Sequence, residues 1–185
     1  MTDATTQAIL DATRQSVLDF GVRRTTLTDI ARRAGVSRMT VYRRYPDVDA
    51  VLLDLMTREF GATLEATAAA AQEAEDDGRA RIVRQVAAGV RELREHPLLR
   101  KVVEAEPELL LPYVLGRLGA SQRIALELLA AAVADGQRDG SVRAGDPQAI
   151  ARTVLLVAQS FLFAEPETGL QDELVRVVDA ALVPG

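Results

Sequence analysis

Residues 26–45, TLTDIARRAGVSRMTVYRRY, constrain the fold more than any other stretch of this chain. Thr26 with Asp29 reads as a capping box, the aspartate taking the glutamate role, and predicts a short helix over 27–34. Ala34-Gly35-Val36 reads as a turn, and Ser37 as the cap of a second helix running to about Tyr45. Two short helices joined this tightly must cross closely. The crossing needs a small residue on the first helix, a turn residue that tolerates positive φ, and an apolar anchor on the second. Ala31, Gly35 and Val41 meet those needs. Ile30, Ala34, Val36 and Tyr45 complete a miniature core, and the whole is the logic of a helix-turn-helix.

On a wheel at about 100° per residue, with Val41 facing inward, Met39 and Arg43 point directly away. Thr40 and Tyr42 lie on the flanks, and Arg38 and Arg44 at opposite edges. A helix of this width fits the major groove of B-DNA, where arginine bridges guanine O6 and N7 and a methionine packs on a thymine methyl. The hydroxyls of Thr40 and Tyr42, with Arg44, suit phosphate oxygens, which position the helix without reading sequence. The plainer alternative is that the arginines form a solvated face. The exposed positions of Met39 and Tyr42 count against it.

Charge supports a local polyanion site. The chain of 185 residues carries a formal charge of -5, yet residues 1–50 hold 8 Arg against 6 Asp. An acidic body thus bears a small basic head.

The remaining sequence predicts helix throughout. Hydrophobic residues make up 48% and aromatics only 4%, with alanine, leucine, arginine and glutamate abundant. Helices are expected at 5–20 with Gly21 as C′, from Asp47 to about Glu75, and at 79–95 with Ile82, Val86, Gly89, Val90 and Leu93 on one face. His96-Pro97 and Glu106-Pro107 look like helix starts, and Pro112 is expected to kink or restart the second. Ser121 is expected to cap a helix to about Arg138, and Asp146-Pro147 to open one to about Ala164. A last helix covers about 168–182.

Several function classes are disfavoured. There is no cysteine and one histidine, His96, so thiolate sites and sites needing two imidazoles are excluded. No metal-ligand spacing, nucleophile elbow or phosphate-binding glycine loop is present, and neither enzyme activity nor a cofactor is expected. The N-terminal MTDATTQAIL lacks the features of a signal peptide, and the uncharged run 153–164 is too short to span a bilayer. A cytoplasmic protein is expected.

Residues 5–55 resemble the DNA-binding head of the TetR family of bacterial regulators, on the pattern TTLTDIARRAGVSRMTVYRRYPDVDAVL at 25–52. The resemblance implies base contacts near Arg38, Met39 and Arg43, and phosphate contacts from Thr26, Thr40, Tyr42 and Arg44. With Ser37 at the helix start, these eight form the candidate DNA-binding set. Two departures stand out. Val48 occupies a position where the family often has lysine, and Tyr45 replaces the more usual phenylalanine, leaving a hydroxyl that needs a partner.

The resemblance further implies an all-α protein of about nine to ten helices. A three-helix head over 1–47 would be joined by a long helix to an effector-binding and dimerisation bundle over 48–185. One head makes too few contacts for tight binding, so a two-fold dimer reading a palindrome is also expected on physical grounds. Ile150, Val154, Ala158, Phe161 and Leu162 are the candidate interface, against Ile124, Leu128, Ala131 and Ala132. The alternative is that these faces make only an internal core. The implied ligand pocket would draw apolar lining from Phe60, Leu64, Val86, Val90 and Leu110, and polar contacts from Tyr113, Arg117 and Gln159. Its occupant would be a small apolar or amphipathic effector that releases a repressor from its operator. A DNA-binding dimer without such an effector, controlled by a protein partner, is the alternative.

Overall fold

The computed structural model describes residues 3–110, 118–165 and 167–185. Among the described residues the chain is all helical: α1 (Ala4–Phe20), α2 (Leu27–Arg33), α3 (Arg38–Arg44), α4 (Val48–Gln72), α5 (Gly78–Glu95), α6 (Pro97–Ala105), α7 (Ala120–Arg138), α8 (Pro147–Phe163) and α9 (Leu170–Leu182). Two 3-10 turns, Val22–Arg24 and Pro107–Leu109, join α1 to α2 and follow α6. No described helix is long and apolar enough to cross a membrane.

Local chemistry accounts for most boundaries. Asp3 caps α1 by accepting from the Thr6 N–H, and Gly21 ends it at φ 84°. Ser37, Asp47, Asp77 and Asp146 each accept from a backbone N–H in the first turn of α3, α4, α5 and α8. His96 caps α6 through Nδ1, 3.3 Å from the Leu98 nitrogen, with Pro97 in the first turn.

Three expectations need correction. The aspartate at Asp29 does not close a capping box in the usual way: its carboxylate accepts a hydrogen bond from the Thr26 hydroxyl at 2.6 Å while Thr26 Oγ1 accepts the Asp29 N–H at 3.1 Å. Asp29 is one methylene shorter than a glutamate. Ser121 does not cap α7, which begins after Gly119, whose N–H is taken by the Gln122 side chain at 2.7 Å. Glu106-Pro107 opens only a 3-10 turn, because the Glu106 backbone at φ -150°, ψ 57° is not an N-cap conformation and its carboxylate is engaged elsewhere. The expected kink at Pro112 lies outside the described residues.

The chain divides into two compact units. The first comprises Met1–Glu59 and His96–Arg117. Here α1 packs on α2 and α6, and α2 packs on α3. Buried Ile9, Val17, Ile30, Val41, Leu52, Leu55, Leu98 and Val102 supply its interior. The buried carboxylate of Glu106 accepts the Arg23 N–H at 2.8 Å, and Arg23 also pairs with Glu108, so the segment after α6 is fixed to the 3-10 turn before α2.

The second unit comprises Phe60–Glu95 and Leu118–Gly185. α5 packs on α7, α8 and α9, and α8 packs on α7 and α9, around Ile82, Val86, Val90, Leu129, Val133, Ile150, Val154, Leu174 and Val178. The start of α5 is docked rather than self-contained: the Gly78 N–H donates to Asp139 and the Arg79 N–H to Ser141. At this crossing a Cβ on Gly78 would collide with the backbone of Gly136, so α5 needs the bare Cα there; a Cβ on Gly136 would strike Val142.

Candidate nucleic-acid interface

The helix-turn-helix of the first unit is α2, the turn at Ala34–Val36, and α3. Gly35 turns with φ 67°, where a Cβ would crowd the adjacent backbone, although nothing beyond its chain neighbours lies within 4 Å of the Cβ position. The Val36 N–H returns to the Ala31 carbonyl and ties the turn to α2. Ala31 and Val41 are 1% and 0% exposed, which fixes the inward face of α3. Tyr45 ends α3 buried in the core, and its hydroxyl donates to Asp54 on α4 at 2.6 Å. Burial, then the Asp54 hydrogen bond, hold that phenol well above its ordinary range, so it stays a donor.

With Val41 inward, the opposite face of α3 is open. Met39 is 73% exposed and Tyr42 50%, far more than such side chains normally show in a monomer's surface. Arg38 and Arg43 lie exposed beside them. Thr26 and Ser37 are exposed at the first turns of α2 and α3, and Thr40 is half-buried with its hydroxyl 2.8 Å from that of Ser37. These seven of the eight candidate residues are thus exposed or half-buried at α2 and α3.

Arg44 behaves differently. Its guanidinium is only 27% exposed and donates to the Asp3 carboxylate at 2.5 Å, while its buried Nη1 has no hydrogen-bond partner among the described residues. The sequence reading assigned it a phosphate; in the folded chain it links the end of α3 to the cap of α1. Hydropathy spacing places Arg44 at an edge of the wheel but does not reveal a partner 41 residues upstream.

Ion pairing sorts the other arginines of the head. Arg14 pairs with Glu59, Arg23 with Glu108, Arg32 with Asp29, and Arg33 with Asp19. Arg24, Arg38 and Arg43 have no carboxylate partner among the described residues. The first of these stands outside the candidate set. It lines an open cleft of about 250 Å³ between α1 and α2 that no sequence spacing announces.

The candidate dimer residues divide. Ala132, Ile150 and Val154 are buried in the second unit's own core, at 6%, 2% and 1% exposure, and so cannot meet a partner. Ile124, Leu128, Ala158, Phe161 and Leu162 are half-buried, and Ala131 is exposed. Ile124 lies against Gly61 of α4, where an added Cβ would sit 3.0 Å from its tip. The outward face of α8 instead carries Leu156 and Phe163, 56% and 40% exposed. Their seven-residue spacing was visible in the sequence; α8 is apolar nearly all round, and periodicity could not say which side faces its own core.

Of the candidate pocket residues, Val86 and Val90 are packed in the second unit's core with Leu64 against it. Phe60 is buried and Gln159 half-buried in the same unit, whereas Leu110 belongs to the first. Tyr113 and Arg117 lie outside the described residues. Gln85, 8% exposed on the buried stripe of α5, is a polar side chain the sequence reading does not name.

A glycine-turned helix pair with a cationic, solvent-facing second helix defines a DNA-binding helix-turn-helix protein. Residues 9–55 match the model of bacterial regulatory proteins, tetR family. An uncharacterized HTH-type transcriptional regulator of Mycobacterium bovis is 43% identical over 152 residues, covering 82% of this chain and 77% of that protein. The TetR-family transcriptional repressor QsdR of R. erythropolis has a similar fold, with a TM-score of 0.76 at 17% identity over 98% of this chain and 96% of that one. SmeT in its triclosan complex superposes with a TM-score of 0.59 at 28% identity, over 98% and 92% of the two chains. The chain belongs to the TetR family of bacterial regulatory proteins; it is a transcriptional regulator and not an enzyme.

Proposed function

We propose that the protein is a dimeric repressor that reads a palindromic operator with α3 and is released by a small apolar or amphipathic effector. Residues 1–47 act as the DNA-binding domain and 48–185 as the effector-binding and dimerisation domain. Arg38, Met39 and Arg43 face bases; Thr26, Ser37, Thr40 and Tyr42 face phosphates. The observation that carries this reading is the open face of α3, where Met39 and Tyr42 stand exposed between two arginines that have no carboxylate partner among the described residues.

The dimer rests on the outward faces of α7 and α8. Exposed Leu156 and Phe163 on α8 and exposed Ala131 on α7 join the half-buried Leu128, Phe161 and Leu162 as the apolar side chains of that face. Effector binding falls to the second unit, around Phe60, Leu64, Val86, Val90 and Gln159, with Gln85 as a further polar group. SmeT, a relative in fold, takes triclosan, an apolar molecule with one hydroxyl. A body of this composition favours a ligand of the same class.

Selection of duplexes from a random pool by the purified protein tests the core of the proposal. Enrichment of a palindrome whose half-sites lie about one helical turn apart, or a multiple of it, is expected. Enrichment of no sequence, or of an unpaired half-site bound by one copy, would overturn it. A thermal-shift panel of apolar and amphipathic compounds on the same protein separates the effector-released form from a regulator controlled by a protein partner.

A further inference from the structure

The first unit holds a cation that the recognition helix does not use. Arg24 is exposed, lies two residues before Thr26, and has no ion pair among the described residues. It borders the open cleft of about 250 Å³ between α1 and α2. The cleft's other charged groups are Arg32, Arg33 and Asp29. Asp29 is already engaged: the Thr26 hydroxyl and then Arg32 hold its carboxyl below the usual range, so it stays an anion facing its own partners. Arg33 is held by Asp19 at 2.9 Å and lies 5.1 Å over the Phe20 ring, which walls the cleft. The lining therefore keeps an excess of positive charge, with Arg24 its one unassigned member.

A second observation points the same way. Ser16, which also lines the cleft, is 1% exposed, and its hydroxyl has no hydrogen-bond partner among the described residues. A buried hydroxyl without a partner is uncommon, and its O–H is left with no acceptor. An exposed guanidinium without an ion pair and a buried hydroxyl without a partner together form a donor set that suits a phosphate oxygen.

We propose that this cleft seats a backbone phosphate of the operator, flanking those met by α3, with Arg24 as its principal ligand and Ser16 as a neutral donor. The assignment rests on the DNA-binding reading above. Position argues for DNA as the source of the phosphate: the Asp29 carboxylate that lines the cleft is bonded to the Thr26 hydroxyl, so the seat adjoins the N-cap of α2. A seat there anchors the DNA beyond the groove, adding affinity without adding sequence preference.

The test is anisotropy of a labelled duplex carrying the selected operator, and of an unrelated duplex, over a range of salt. Wild type, Arg24→Ala, Ser16→Ala and Arg43→Ala are compared. Arg24→Ala is expected to weaken both duplexes about equally and to flatten the dependence of log K on log salt by about 0.9 per head. Ser16→Ala is expected to weaken both by a few-fold with the slope unchanged. If Arg24→Ala leaves affinity and slope as in wild type while Arg43→Ala abolishes operator preference, the seat is wrong and the reading helix stands. If neither variant changes anything, the DNA-binding assignment of the whole surface fails with it. A parallel thermal-shift titration with inorganic phosphate separates the sources. Stabilisation that is lost in Arg24→Ala, with DNA binding intact, would give the seat to free phosphate and overturn its role on DNA.

Discussion

Arg44 and Asp3 are joined by a 2.5 Å ion pair that ties the last residue of the recognition helix to the cap of the first helix. Asp3 does two things at once: one oxygen accepts the Thr6 N–H and the other takes the arginine. The pair fixes where α3 ends relative to α1. It also withdraws a cation from the DNA-facing surface. Asp3→Asn keeps a good capping side chain and removes the charge. The freed Arg44 is expected to steepen the salt dependence of duplex binding by about 0.9 per head, on any sequence. Anisotropy across salt measures this; an unchanged slope would show that Arg44 stays withdrawn from the phosphates regardless of Asp3.

His96 gives a pH dependence of known sign. Its Nδ1 caps α6 only while it can accept a hydrogen bond, and burial pushes its pKa below the ordinary 6.5, outweighing the pull of Glu59. The unfolded chain then takes up the proton more readily than the folded one. Stability from this group is complete above pH 6.5 and falls progressively as pH drops below it, toward the lower folded value. His96→Asn, which caps without titrating, is expected to flatten the melting temperature across that window. Equal pH profiles for the two proteins would contradict the capping role.

Three glycines make opposite forecasts from geometry alone. Gly78→Ala forces a Cβ into the backbone of Gly136 and is expected to cost about 1–3 kcal/mol. Gly35→Ala meets open space but must hold φ 67°, at a cost of about 1–2 kcal/mol. Gly89→Ala places its Cβ 3.7 Å from Thr67 Oγ1 and 3.8 Å from Leu64, ordinary contacts inside a helix, and is expected to stabilise by up to about 1 kcal/mol. Denaturant unfolding ranks them; Gly78→Ala at or above wild-type stability would mean the α5–α7 crossing is looser than described.

What the sequence revealed follows its signals. The helix-turn-helix was legible because Ala31, Gly35 and Val41 each answer a local demand, and local demands survive folding. The caps at Ser37, Asp47, His96 and Asp146 were legible for the same reason. Long-range pairings were not: nothing near Arg44 names Asp3, and nothing near Gly78 names Asp139. The body was harder still. A helix apolar on all sides, like α8, tells which residues are hydrophobic without telling which pack inside, so Ile150 and Val154 were placed at a surface they never reach. The cleft at Arg24 needed α1 and α2 side by side before it existed at all.

Leu156→Arg tests the dimer. Leu156 is 56% exposed in one chain, so the charge costs the monomer's fold little, but two arginines brought together on a two-fold apolar face repel. Sedimentation is expected to show a species of half the wild-type mass with unchanged helix content, and weaker operator binding. A variant that still sediments as wild type would remove this face from the interface.

The most direct test of the central claim is base by base. Wild type and Arg43→Ala are titrated against the selected operator and against every single-base substitution of one half-site. If α3 reads the major groove through its outward face, Arg43→Ala will lose discrimination by about 1–3 kcal/mol at one guanine and keep it elsewhere. A variant whose substitution profile is superimposable on the wild type's would show that this face of α3 does not read the operator.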